Sequence, residues 1–225
     1  MNLLELANTL KSESGRSGNP LTAVTGLPAE DARLVSWVRN AWRELQAGTD
    51  WDWMRQTITA DLTAGVGRYA AGALGAPDLR KFAEESRNYR PTVTPDGQAQ
   101  PVIELRWLPF EQFRRMFIAE AQANAQPQFW SVAKGGDLLI GPAPDADMDL
   151  LFDYYQIPAE LTNATDAPAM PAHHHMILVW RALMRLAAFD NAPEVFTDAQ
   201  TNYYRMLNDL KKEQGPRMVW RGDQL

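Results

Sequence analysis

An α+β fold, mainly α, follows from three features of the sequence. Apolar residues keep helical spacing at both ends of the chain, alternate with period two through its middle, and glycine or proline stands where the period changes. Residues 1–53 and 159–215 then form one helical bundle built from both chain ends. A small β-rich domain with a short helix, residues 54–158, is inserted between them, and residues 216–225 are left as a C-terminal docking tail. A chain of 225 residues buries about 70–75% of its unfolded surface, so it needs neither disulfide nor metal to fold.

The first helix is marked by Leu3, Leu6, Ala7 and Leu10, which share a face. A loop rich in serine and glycine, Ser12 to Pro20, separates it from the second. That second helix opens near Pro28 with Glu30 and Asp31 in its first turn, where the helix dipole favours negative charge. Leu34, Val35, Val38, Ala41, Trp42 and Leu45 form its apolar stripe, and Gly48 closes it. Near the other end, Met176 to Ala188 is apolar around almost the whole circumference, which predicts a central helix with Trp180 buried. A last helix starts near Pro193 and places Phe196, Ala199, Tyr203, Met206, Leu207 and Leu210 on one face. Gly215-Pro216 ends it, with the glycine expected in a left-handed cap.

In the middle, Ile58, Ala60 and Leu62 alternate with polar residues, as do Ile103, Leu105 and Trp107, and each set predicts a strand. Gly65 to Gly75 reads as loop, Asp78 to Asn88 as a short helix, and Phe110 to Phe117 as about three helical turns. Phe129 to Ala133 and Asp137 to Ile140 flank Lys134-Gly135-Gly136 as a hairpin. A longer strand runs from about Met148 to Ile157 and stops at Pro158.

Composition narrows the chemistry. Zero cysteines exclude disulfides, thiol catalysis and cysteine-ligated metals. A net charge of −6 argues against a surface that coats nucleic acid. The N-terminus lacks the pattern of a secretory signal, and the most apolar segment, interrupted by Arg181 and Arg185, falls short of a membrane span. Gly65-Val66-Gly67-Arg68-Tyr69-Ala70 matches a dinucleotide pattern, but that pattern requires a helix opening at its third position. A surface turn is the expected reading. His173, His174 and His175 are the only histidines. On a helix three consecutive residues fan over roughly 200° and cannot all face one ion. The expected arrangement is one imidazole inside and the other two at the surface or a subunit contact. The alternative is a metal-dependent hydrolase using His173–His175 with an acid such as Asp190.

Eight tryptophans are a large supply. Trp42, Trp107 and Trp180 are expected in cores, Trp37 on the flank of its helix, and Trp220 in the tail. Arg217, Met218, Val219, Trp220 and Arg221 have no periodic partners within the bundle, and tryptophan and arginine are enriched at binding hot spots. These five residues are the candidate partner-binding segment. Arg221-Gly222-Asp223 also matches an integrin tripeptide, a match short enough to arise by chance.

Leu34-Val35-x-Trp37-Val38, Ala41-Trp42-x-x-Leu45-Gln46 and Trp51-x-Trp53-Met54-Arg55 together resemble the opening of head–tail adaptor (connector) proteins of tailed bacteriophages. Tyr154-Tyr155-x-x-Pro158, Met170-Pro171-Ala172-His173-His174-His175 and Tyr203-Tyr204 extend the resemblance to nearly the whole chain. His174 departs from it, standing where an aromatic is expected. The resemblance implies a virion structural protein at the head–tail junction, assembled in the bacterial host cytoplasm. It implies a ring beneath the portal, usually twelve-fold, with C-terminal segments reaching onto the portal. Its partners would be the portal protein, neighbouring adaptor subunits and the next tail or nozzle protein, with DNA passing through unbound. It implies no enzymatic activity, no cofactor and no membrane.

Overall fold

The computed structural model describes residues 1–83, 91–95, 102–119 and 122–215. Chain order runs α1 (Leu3–Glu13), α2 (Ala29–Ala47), β1 (Arg55–Leu62), β2 (Arg68–Tyr69), β3 (Leu79–Phe82), β4 (Thr92–Pro95), β5 (Ile103–Glu104) and β6 (Arg106–Trp107). It continues with α3 (Phe110–Phe113), β7 (Phe129–Val132), β8 (Leu138–Gly141), β9 (Met148–Gln156), α4 (Met176–Phe189) and α5 (Pro193–Gln214). The fold is therefore α+β. Its contacts divide it into two compact units, one from Met1–Trp53 with the chain from Pro158 onward, the other Met54–Ile157.

In the helical unit α1, α2 and α5 all pack on α4. Asn2 begins α1 with a capping box: its side chain accepts from the Glu5 backbone N–H at 2.9 Å, while Glu5 accepts from the Asn2 N–H at 3.1 Å. Leu3, Leu6, Ala7 and Leu10 are fully buried, as the stripe requires. The loop after α1 is held by Asn8, whose side chain donates to the Leu21 carbonyl and accepts from its N–H. The stripe of α2 is buried from Leu34 to Gln46. Its other flank binds the segment after β9. Trp42 Nε1 donates to the Ala159 carbonyl at 3.0 Å, Arg39 to the carbonyls of Leu161 and Thr162, and Arg43 to both carboxylate oxygens of Glu160.

Two expectations for this unit are corrected. Helix α4 buries Ile177, Leu178, Val179, Ala182, Leu183, Met184, Leu186 and Ala187, but Arg185, Ala188 and Phe189 are exposed and Trp180 is only half-buried. Its apolar circumference overstated its burial, because the exposed side also carries apolar residues. Helix α5 does end at Gln214, yet Gly215 is extended (φ −83°, ψ 163°) and not left-handed; its N–H closes the helix by donating to the Lys211 carbonyl.

The second unit stacks two small sheets on one core. Strand β9 is central in the first sheet. Strand β1 pairs antiparallel along one edge from Arg55↔Tyr155 to Leu62↔Met148. The other edge is shared, with β3 beside Tyr154–Gln156 and β4 beside Met148–Leu151, and β5 pairs outside β4. The second sheet has the order β2-β8-β7-β6, with only β6 and β7 parallel. Met148, Leu150, Phe152 and Tyr154 alternate inward from β9 and meet Trp130, Leu138 and Ile140 of the second sheet. Phe82 lies between them, its ring 6.2 Å from Trp130 and 5.6 Å from Phe152.

Alternation predicts one strand through Ile103, Leu105 and Trp107, but the chain changes sheets there. The Leu105 N–H donates to the Pro91 carbonyl on the first sheet, the Arg106 N–H to Gln128 on the second, and Leu105 itself is fully buried. As a result Trp107, expected in the core, is 47% exposed. Leu79–Phe82 is strand, where the pattern from Asp78 suggested helix; residues 84–88 of that expectation lie outside the described residues. The stretch from Gly65 to Gly75, expected as loop, contains β2 and a short 3-10 turn over Ala71–Leu74. The Lys134-Gly135-Gly136 hairpin joins β7 to β8, with Gly136 at φ +89°, a conformation that glycine adopts without strain.

Candidate functional site

The histidines sit on a tight turn, not on regular helix. Pro171 cannot donate a backbone hydrogen bond and is followed by a 3-10 turn over Ala172–His174, with His174 N–H donating to the Pro171 carbonyl at 3.0 Å. The turn sets the rings of His173 and His174 side by side, centroids 4.2 Å apart. Both Nε2 atoms lie 2.9 Å from the same oxygen, Oε2 of Glu213 in the last turn of α5. Hydrogen bonds from His173 and then His174 hold the Glu213 carboxyl down to about 2. His174 is buried, while His173 and Glu213 are exposed.

His175 is turned elsewhere. Its Nδ1 is 2.7 Å from the amino group of Met1 and its Nε2 is 3.1 Å from the Met170 carbonyl. Burial, the largest influence, pushes its pKa down. Two imidazoles are thus inside rather than one, because the 3-10 turn alters the fan expected of an α-helix. Asp190, the acid suggested for a hydrolase, is not near this cluster. It caps the far end of α4, roughly 20 Å away at about 1.5 Å per residue over 14 residues, and its carboxylate binds Arg16 at 2.8 and 3.1 Å.

The dinucleotide pattern is likewise without its helix, since Arg68–Tyr69 is strand β2. Gly67 is needed for a different reason. A Cβ there would stand 3.0 Å from the Ile140 carbonyl oxygen, where β2 closes on β8. Arg217, Met218, Val219, Trp220 and Arg221, the candidate partner-binding segment, lie outside the described residues, as does the whole tail 216–225.

The described surface carries aromatic features that periodicity did not single out. Phe189, 58% exposed, has Arg33 stacked over its ring at 4.7 Å and Trp37 at 5.9 Å, so the flank position expected for Trp37 belongs to a surface cluster. In the β-rich unit, Phe113 and Phe117 line a groove of about 640 Å³, with Arg68, Arg114 and Lys134 at its rim. Glu213 could not be paired with the histidines from spacing, being 40 residues from His173. A heptad-like pattern marks which face of a helix packs, not which distant turn its last residue meets.

No curated protein sequence matches the chain. The family model described as SU10 adaptor protein matches residues 1–223, which takes in both compact units and the chain ends that form the helical one. On that match, the chain belongs to the SU10 adaptor protein family.

Proposed function

We propose that the protein is a virion structural component, a head-to-tail adaptor whose copies form a ring between portal and tail and line the passage for DNA. The family match over residues 1–223 carries this reading. It is supported by the aromatic side chains left at the surface, Trp107, Phe189 and Tyr204 among them, since exposed aromatics suit subunit contacts. The net charge of −6 is consistent with a channel that lets DNA pass, because holding DNA needs phosphates neutralised by lysine and arginine. No helix among the described residues is long and apolar enough to cross a membrane.

In this reading the ring is twelve-fold and its subunits contact the portal, one another, and the next tail or nozzle protein. It sits at the head–tail junction after assembly in the host cytoplasm, and no catalytic step is part of the role. The portal contact is assigned to Arg217, Met218, Val219, Trp220 and Arg221. From Thr201 onward there are five Lys+Arg and three Asp+Glu, so this end is locally basic in an acidic chain and suited to an acidic partner surface. Deleting residues 217–225 should leave the thermal midpoint nearly unchanged and abolish co-sedimentation with the portal. Undiminished co-sedimentation of the truncated chain would move the contact elsewhere; loss of its fold would make the tail part of the core.

A further inference from the structure

The turn at Pro171 and the end of α5 bring together three donor atoms of the kinds that bind borderline metals. His173 Nε2, His174 Nε2 and a Glu213 carboxylate oxygen all lie within 4.8 Å of one another, and among the described residues this is the group of metal-ligating side chains that converges in this way. Tetrahedral zinc takes nitrogen and oxygen donors at about 2.0–2.2 Å, which sets donors about 3.3–3.5 Å apart. Glu213 Oε2 is 2.9 Å from each imidazole nitrogen, so side-chain shifts of about 1 Å would open the hydrogen-bonded cluster around an ion. His174 is anchored by burial, and the exposed sides of His173 and Glu213 leave a position open to water.

We propose that His173, His174 and Glu213 form a binding site for a borderline divalent cation such as zinc or nickel. Two imidazoles with a single carboxylate suit these ions; magnesium and calcium demand shells made mainly of oxygen. His175 is not a ligand, because both its ring nitrogens are engaged by Met1 and Met170. The bound ion joins the turn that precedes α4 to the last turn of α5. Glu213 is two positions from Gly215, where the helix has ended, so the ion ties down the C-terminal end of α5. The site stands apart from the adaptor reading, and either can fail without the other.

The test is calorimetric titration of the full-length chain, without a histidine tag, with zinc chloride and separately with nickel and magnesium chloride. Zinc and nickel should bind saturably at one equivalent and magnesium should not. His173→Ala and Glu213→Gln, both at exposed side chains and checked for unchanged circular dichroism, should each weaken zinc binding at least about tenfold. In the wild type, cobalt(II) should give visible absorption of nitrogen- and oxygen-coordinated metal, and His173→Ala should abolish it. No saturable zinc uptake by the wild type, or zinc binding by both variants as tight as the wild type's, overturns the site. Magnesium bound as tightly as zinc overturns the assigned chemistry.

Discussion

Trp42 is the residue whose removal should most damage the helical unit. Its side chain is 1% exposed and its indole N–H donates to the Ala159 carbonyl at 3.0 Å. A buried aromatic of this size removes about 200 Å² from water, worth about 5 kcal/mol at about 25 cal/mol per Å², an upper bound because unfolded chains already hide some surface. Trp42→Ala should therefore cost about 4–5 kcal/mol. Trp42→Phe keeps most of the apolar volume but leaves the Ala159 carbonyl without its donor, and should cost about 1–3 kcal/mol. Urea unfolding followed by helical circular dichroism measures both, and an unchanged slope would show that the unfolded state is unaltered. A loss below about 1.5 kcal/mol for Trp42→Ala, at unchanged slope, would refute the central placement of this tryptophan.

Trp180→Ala makes the contrasting case: half-buried, it should cost only about 2–2.5 kcal/mol in the same urea series, roughly half of a fully buried indole. In the β-rich unit, Asp153 is buried on the outer face of β9 beneath Arg55, which donates from Nε at 2.7 Å, and Thr57, whose hydroxyl donates at 2.7 Å. Asp153→Ala should lower stability by about 2–3 kcal/mol, less than a fully buried pair because Arg55 is one-third exposed, with thermal melts as the readout. Burial pushes the Glu44 pKa up, but Arg181, donating at 2.8 Å, and Arg185 outweigh it and hold the carboxyl below its ordinary value. A depressed folded pKa stabilises above the unfolded carboxylate value of about 4.3, and that contribution is lost as pH falls through the folded value. Glu44→Gln should accordingly lower the thermal midpoint near neutral pH, and the gap from wild type should close as the pH drops below about 4; a constant gap would contradict the ion-pair assignment.

Elements whose burial repeats in one plane were legible from sequence. The stripes of α1 and α2 and the alternation of β1 each name one buried face, and the structure buries it. Periodicity misled where two partners divide one segment. Ile103 to Trp107 alternates as a single strand would, yet Leu105 is the pivot between two sheets, which exposes Trp107. It also misled on α4, where half-buried Trp180 and exposed Ala188 look the same in sequence as residues of the core. Leu79–Phe82 became strand because the edge of β9 beside Tyr154–Gln156 offered it backbone partners, a tertiary effect that local propensity does not contain. The histidine cluster was legible as residues and not as geometry. Its third member, Glu213, comes from another helix, and its turn follows 3-10 rather than α-helical rotation.

The most direct test of the adaptor role is native mass spectrometry of the full-length protein, first alone at low concentration and then with the portal ring of the same phage. The helical stripes are met within one chain, so the isolated protein should appear as a monomer of 25.3 kDa. On the portal it should appear as a ring of about twelve copies, the number the adaptor reading assigns. A portal ring that keeps its own mass in the presence of excess protein would contradict the adaptor function, and a stable high-order ring of the protein alone would contradict assembly on the portal.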